Sequence, residues 1–205
     1  HPEVNLVSVT GRSAVGKNLN EVLPHLNDID LTIESSISSS VDFVFSALPN
    51  VFSAEALKEI ISSGTKAIDI AADFRLNDLD LYEKWYESKH PCPEFIPESI
   101  YGLPELYRSQ ISKTKLVANP GCYPTASILG LAPALNSKII NNDIIIDAKS
   151  GVSGAGRGLS LKTHFNEVDE SVSAYGLDGH RHMPEIQQEL SLISKDEVNV
   201  TFIPH

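Results

Sequence analysis

Short apolar runs recur along the chain, each closed by a turn signal and several followed by an amphipathic stretch. Residues 4–9 (Val-Asn-Leu-Val-Ser-Val) predict a first strand that stops at Thr10, Gly11, Arg12 and Ser13, and a weaker apolar stretch follows at 31–33. Residues 41–49 are apolar almost throughout and predict a strand covered on both faces, as in a parallel sheet. Ser53 offers an N-cap to a helix over 54–63, Gly64 supplies its stop, and 66–70 predict the next strand. Strand, helix and strand joined by short connections are the mark of a βαβ unit. Asp78 can cap a second helix over 79–89, whose Tyr82, Trp85 and Tyr86 read as packing residues. Prolines 91, 93 and 97 break the following segment into loop, with Cys92 between two of them as an incidental thiol. Two further strands are predicted at 116–118 and 143–148, with a helix between them that carries the apolar run 126–135. Pro184 fits the first position of a helix reaching residue 193, with Glu185 in its first turn, and a last strand follows at 198–205.

At 205 residues the chain is long enough for one large domain or two small ones. Its 41% hydrophobic and 21% charged content is that of a globular protein, and no apolar run reaches the ~20 residues that span a bilayer. A formal charge of −11 argues against a nucleic-acid partner, because phosphate-backbone binding rests on clustered Lys and Arg. An anionic ligand must therefore meet a local basic site. Two cysteines, Cys92 and Cys122, allow at most one disulfide, and the setting of Cys122 points instead to a reactive thiol in a reducing, cytoplasmic compartment. The chain starts at His1-Pro2-Glu3 without a methionine and ends on a strand without a cap, so it reads as a piece of a longer protein.

The chemistry gathers around residues 117–125, Val-Ala-Asn-Pro-Gly-Cys-Tyr-Pro-Thr. A short strand stops at a Pro-Gly turn and a helix starts at once, which aims the Cys122 sulfur at free backbone N–H groups and the positive end of a helix dipole, a place that favours a thiolate. A glycine-rich loop, Lys149-Ser150-Gly151-Val152-Ser153-Gly154-Ala155-Gly156-Arg157-Gly158, has the wrong spacing for the first loop of a dinucleotide fold. Its glycines with Lys149, Arg157 and Lys162 suit an anion-holding loop better, against the plainer reading of a surface loop. His180, Arg181 and His182 sit just before a helix N-terminus, a combination that suits acid/base work or anion binding. Zinc is a poor explanation for two isolated cysteines without paired ligand spacing. A cysteine protease or transferase could use the same Cys and His types, but the alternation of strands and helices before Cys122 fits a nucleotide-binding half, with Arg12 at a strand end facing a 2′-phosphate.

The run Asn119-Pro120-Gly121-Cys122-Tyr123-Pro124-Thr125 with Gly130-Leu131-Ala132-Pro133 resembles the active-site signature of the N-acetyl-γ-glutamyl-phosphate reductases, NADPH-dependent enzymes of arginine biosynthesis. The stretches 47–49, 69–76, 101–105, 150–157 and 180–186 agree in order, so the resemblance covers essentially the whole chain. It implies an α/β fold: a Rossmann-type parallel sheet over 1–122, lacking its first strand and glycine loop, and an α+β substrate and dimerisation domain over 123–205, both partial. It implies that Cys122 attacks an acyl phosphate to form a thioester, that NADP(H) is the cofactor, and that His180 is the acid/base partner, oriented by Glu185. Asn119, Ser150, Arg181, His182 and Glu185 would bind substrate; Arg12, Ser13, Leu48 and Pro49 would line the adenine and ribose side of the cofactor, with Ser153 and Gly154 near the nicotinamide. Asn50-Val51 departs from the His-Gly more usual after Leu-Pro. A homodimer or homotetramer without membrane or nucleic-acid partners is expected. Related acyl-phosphate reductases acting on aminoadipyl or aspartyl phosphate, and a non-catalytic fragment, remain as alternatives.

Overall fold

The computed structural model describes residues 1–37 and 40–205. The chain forms two compact units, His1–Val44 and Phe45–His205. In the first, β1 (Val9–Thr10) pairs in parallel with β2 (Ile33–Glu34), and α1 (Leu19–Val22) lies between them in sequence, capped by the Asn18 side chain. The expected strand over 4–9 is thus reduced to its end. Val4, Leu6 and Val7 are half exposed, and β1 pairs with β2 through Val9 and Thr10.

A four-stranded sheet in the order β3-β4-β6-β5 follows, made of β3 (Phe43–Ser46), which crosses the boundary between the units, and of β4 (Lys66–Asp69), β5 (Ser99–Tyr101) and β6 (Leu116–Ala118) of the second unit. β6 runs parallel to both β4 and β5. The expectation that 41–49 is covered on both faces fails: β3 is an edge strand with Phe43 and Phe45 exposed. Between β3 and β4 runs α2 (Phe52–Ser62), which buries Ala54, Leu57 and Ile61, and Gly64 ends it at φ +89°. Ser53 is not its cap. It lies inside the helix, where its hydroxyl bonds the Asp69 carboxylate, while Asp73 accepts from the Val51 and Ala54 amides and so caps α2 from the far side of β4. Asp78 does cap α3 (Leu79–Tyr86), accepting from the amides of Asp80 and Leu81, but the helix stops three residues early because Glu87 turns left-handed at φ 52°.

After α4 (Pro104–Ile111) and β6 comes α5 (Cys122–Asn136), then β7 (Asp143–Ala148), the short α6 (Phe165–Val168), α7 (His182–Ser194) and β8 (Asn199–Pro204). β7 and β8 pair in parallel through six residues, and α5 and α7 pack on one face of the pair. Ile128 and Leu135 of α5, Ile186 and Leu190 of α7, and Ile144, Val200 and Phe202 of the strands form that core, which reaches Tyr101 at the end of β5 and Tyr123 beside the cysteine. Helix α7 begins two residues before Pro184, which occupies its third position, still within the turn whose amides have no helical acceptor.

Candidate active site

Cys122 is exposed and occupies the first position of α5, with Gly121 as N-cap. The sequence dictates this geometry. β6 ends at Ala118, Pro120 and Gly121 turn the chain, and no residue from 119 to 121 carries a side-chain cap. What holds the turn comes from elsewhere. The Gly121 amide donates to Glu185 Oε1 at 2.9 Å, the Tyr101 hydroxyl donates to the same oxygen at 2.7 Å, and Arg75 Nη1 lies 3.3 Å from Glu185 Oε2. Arg75 also donates from Nε to the Asn119 carbonyl at 2.7 Å and from Nη2 to the Ile70 carbonyl at 2.8 Å. Burial pushes the Glu185 carboxyl up, and Arg75, the Gly121 amide and Tyr101 pull it back. A side chain at 121 has no room: a Cβ there would collide with the His182 ring and come within 3.0 Å of Arg75 Nη1.

Glu185 therefore differs from its expected role. It is buried, and its hydrogen bonds among the described residues go to Tyr101, Gly121 and Arg75 rather than to His180. It holds the cysteine turn and presents no free edge to a substrate.

His180 and His182 stand at the start of α7. The His182 amide donates to His180 Nδ1 at 3.1 Å, and the Met183 amide donates to the His180 carbonyl at 2.9 Å, so His180 satisfies two of the amides that the first turn of α7 leaves without a helical acceptor. The two rings meet at 4.8 Å, and Tyr123, next to Cys122, packs edge-on to both at 5.9 Å. Burial, then His180 and Arg75, bring His182 down to about 3. Burial, then Arg181, holds His180 below the usual histidine range. Arg181 itself is exposed and lies 5.4 Å over the Tyr86 ring. His180, Arg181, His182 and Tyr86, with Asn50 and Arg75, line a cleft of about 440 Å³, within the size range of small-molecule sites.

On the other side of Tyr123 a chain of hydroxyls runs from Tyr175 to Tyr123 at 2.9 Å and on to Ser150 at 2.8 Å. Burial, Tyr123 and the nearby Cys122 push the Tyr175 phenol up. Ser150 is tied to the last strand as well, its amide donating to the His205 carbonyl at 2.9 Å. The structure thus brings Asn119, Cys122, Ser150, His180, Arg181 and His182 to one end of the second unit. Ser153 and Gly154 lie in the exposed turn Val152–Ala155, where the Gly154 amide is engaged by the Gly151 carbonyl at 3.1 Å, and Lys149 is paired with Asp147. Leu48 and Pro49 follow the end of β3. Arg12 and Ser13 belong to the first unit, just after β1.

Arg75, Tyr101, Tyr123 and Tyr175 are absent from the candidates read out of the sequence. Arg75, Tyr101 and Tyr123 lie inside stretches that the sequence singles out, 69–76, 101–105 and 119–125, but nothing local marks them as parts of a site.

Against known proteins, residues 1–114 match the family model described as semialdehyde dehydrogenase, NAD binding domain, and residues 122–205 that described as semialdehyde dehydrogenase, dimerisation domain. The chain is 52% identical to N-acetyl-γ-glutamyl-phosphate reductase of Dehalococcoides mccartyi (strain ATCC BAA-2266 / KCTC 15142 / 195) over its whole length, covering 60% of that protein. It is 47% identical to the protein of the same name from Desulforamulus reducens, covering 61% of it. The chain thus spans about three fifths of the length of the curated relatives it matches. Among solved structures, aspartate semialdehyde dehydrogenase with NADP from Candida albicans superposes with a TM-score of 0.65 over 100% of this chain and 61% of that one, at 12% identity, a likeness of fold. Since one of these two family models alone takes in more than half of the chain, the chain belongs to the semialdehyde dehydrogenase family.

Proposed function

We propose that this chain is part of an NADP-dependent reductase of N-acetyl-γ-glutamyl phosphate, acting in arginine biosynthesis and yielding the semialdehyde and phosphate. The observation that carries the reading is an exposed cysteine at the start of α5 with two histidines from the start of α7 packed around the residues on either side of it, in a chain whose curated relatives bear that enzyme's name. Cys122 attacks the acyl carbon, phosphate leaves, and the thioester so formed is reduced and released as the aldehyde. Arg181 and His182, which line the cleft, would meet the acyl group and its anionic ends, with Asn119 and Ser150 as further contacts; Arg75 and Glu185 hold the cysteine turn in register.

Arg12 and Ser13 follow the C-terminal end of β1, and Leu48 and Pro49 follow that of β3, the ends of strands where α/β sheets bind nucleotides. Ser153 would face the nicotinamide side, and NADPH when bound supplies a hydride. Residues 1–122 are the nucleotide-binding part and 123–205 the catalytic and subunit-contact part, working as a homodimer or homotetramer in the cytoplasm. Initial rates with NADPH and N-acetyl-γ-glutamyl, aminoadipyl or aspartyl phosphate test this. Preference for either of the last two would replace the substrate.

A further inference from the structure

We propose that Tyr86 of α3 is a positioning residue for Arg181: its ring face holds the guanidinium at the cleft, still charged, for an oxyanion of the substrate, a carboxylate or a phosphate. The inference rests on the reading of the cleft as the acyl-phosphate site.

Tyr82 and Tyr86 are one helical turn apart on α3 and share a face. Their rings stack at 4.8 Å with 23° between the planes, and the Tyr82 hydroxyl donates to Asp73 Oδ1 at 2.6 Å. Tyr82 is fully buried, so Tyr86 stands on a fixed support. Over the Tyr86 ring lies the guanidinium carbon of Arg181, 5.4 Å from the ring centre and within cation–π reach. Trp85, the neighbour of Tyr86, takes the backbone of the same segment. Gly179 turns there at φ +135°, and a Cβ on it would come within 3.1 Å of the Trp85 ring. Two adjacent aromatic residues at the end of α3 thus dock residues 179–181, one at the main chain and the other at the charge.

Arg75 and Arg181 both line the cleft, and none of the residues lining it is a carboxylate. The two arginines differ. Arg75 is buried and engaged by Glu185 and two backbone carbonyls, whereas Arg181 is exposed and, among the described residues, enters no ion pair. In a chain of formal charge −11, a cation at a cleft without an acidic partner is the exception. A neutral aromatic face attracts a guanidinium without neutralising it. Tyr86 is neutral at physiological pH, because burial and then Glu185 push its phenol up to about 12 against the pull of Arg75 and Arg181. A carboxylate in its place would hold the side chain too, but would cancel the charge. A free Arg side chain loses several rotors when it binds an anion; held on the ring, it is ordered beforehand, and its planar fork can take two oxygens of a carboxylate or a phosphate.

Proton NMR follows Arg181 without turnover. In wild type the Tyr86 ring current should move the Arg181 Hδ resonances upfield of their positions in Tyr86→Leu, and Tyr86→Phe should keep that shift; identical resonances in wild type and Tyr86→Leu overturn the proposal. In turnover with NADPH, Tyr86→Leu should raise KM for N-acetyl-γ-glutamyl phosphate about tenfold while kcat changes by less than about threefold, and Tyr86→Phe, which keeps the face, should recover most of the loss. A KM within about twofold of wild type in Tyr86→Leu, or a Phe variant as impaired as the Leu variant, contradicts the role of the ring. Arg181→Lys keeps the charge without the planar fork and covers the case in which Tyr86→Leu does not fold. It should raise KM about tenfold, and a value within about twofold of wild type would mean that a point charge suffices. Inorganic phosphate and N-acetylglutamine, used as inhibitors, separate the two anionic ends: the one that Arg181 meets should inhibit Arg181→Lys more weakly than wild type, and undiminished inhibition by both contradicts the anion contact. Absence of any turnover in wild type would instead defeat the reading of the cleft, and the resonances would still decide whether Tyr86 holds Arg181.

Discussion

Glu185 and Gly121 meet at 2.9 Å, a buried carboxylate of α7 accepting the amide of the residue that precedes Cys122. The same carboxylate faces Arg75, which in turn holds the Asn119 carbonyl two residues earlier in that turn. The position of Cys122 thus depends on a charge pair formed far from it in sequence. Glu185→Ala should destabilise the protein by about 3–5 kcal/mol in urea denaturation, because it leaves a buried guanidinium without its partner. Glu185→Gln should cost less, since an amide oxygen can still accept from Gly121 and Tyr101. Equal losses would mean that the Gly121 contact contributes nothing.

Gly121→Ala should fold, with an unchanged circular dichroism spectrum, yet lose on the order of 10² in turnover, since the new Cβ must displace the His182 ring or Arg75 beside the cysteine. Activity within twofold of wild type would show that the turn has slack.

His182 makes the protein acid-sensitive. Its folded value of about 3 lies below the ordinary 6.5, so the unfolded chain binds a proton that the folded chain refuses. The stability tied to the neutral ring is complete above pH 6.5 and is lost as pH falls towards 3. Urea midpoints measured from pH 7 to 4 should therefore fall more steeply for wild type than for His182→Asn.

Asp69 works with the opposite sign. Burial raises it from 3.8 to about 6, against the Ser53 bond that lowers it, so its contribution is present below pH 3.8 and lost as pH rises through 6. One of its oxygens has no hydrogen-bond partner among the described residues. Asp69→Asn should gain stability relative to wild type between pH 4 and 7, and a constant difference across that range would count against the shift.

The part of this site that could be read from the chain is the part encoded locally. A strand, a Pro-Gly turn, Cys122 and an apolar run suffice to predict a cysteine at a helix start, and Asp78 and Gly64 mark a helix start and a helix end by the same kind of short-range chemistry. Arg75 and Glu185 could not be paired that way, because they lie 110 residues apart and touch only once α7 packs on α5. Ser53 misled for a related reason. Serine before an apolar stretch signals a cap, but here Asp73, from beyond β4, accepts the amides and Ser53 turns inward to Asp69. Residues 41–49 were apolar enough for a central strand, and nothing within them says that β3 lies at the edge of its sheet.

The central claim is that Cys122 carries the acyl group. Mixing the protein with N-acetyl-γ-glutamyl phosphate while omitting NADPH tests it most directly. The account predicts one phosphate released per chain and a peptide bearing Cys122 that gains the mass of the acyl group, both lost in Cys122→Ser. Undiminished reductase turnover in Cys122→Ser, or a protein that turns over without ever showing that adduct, would contradict it.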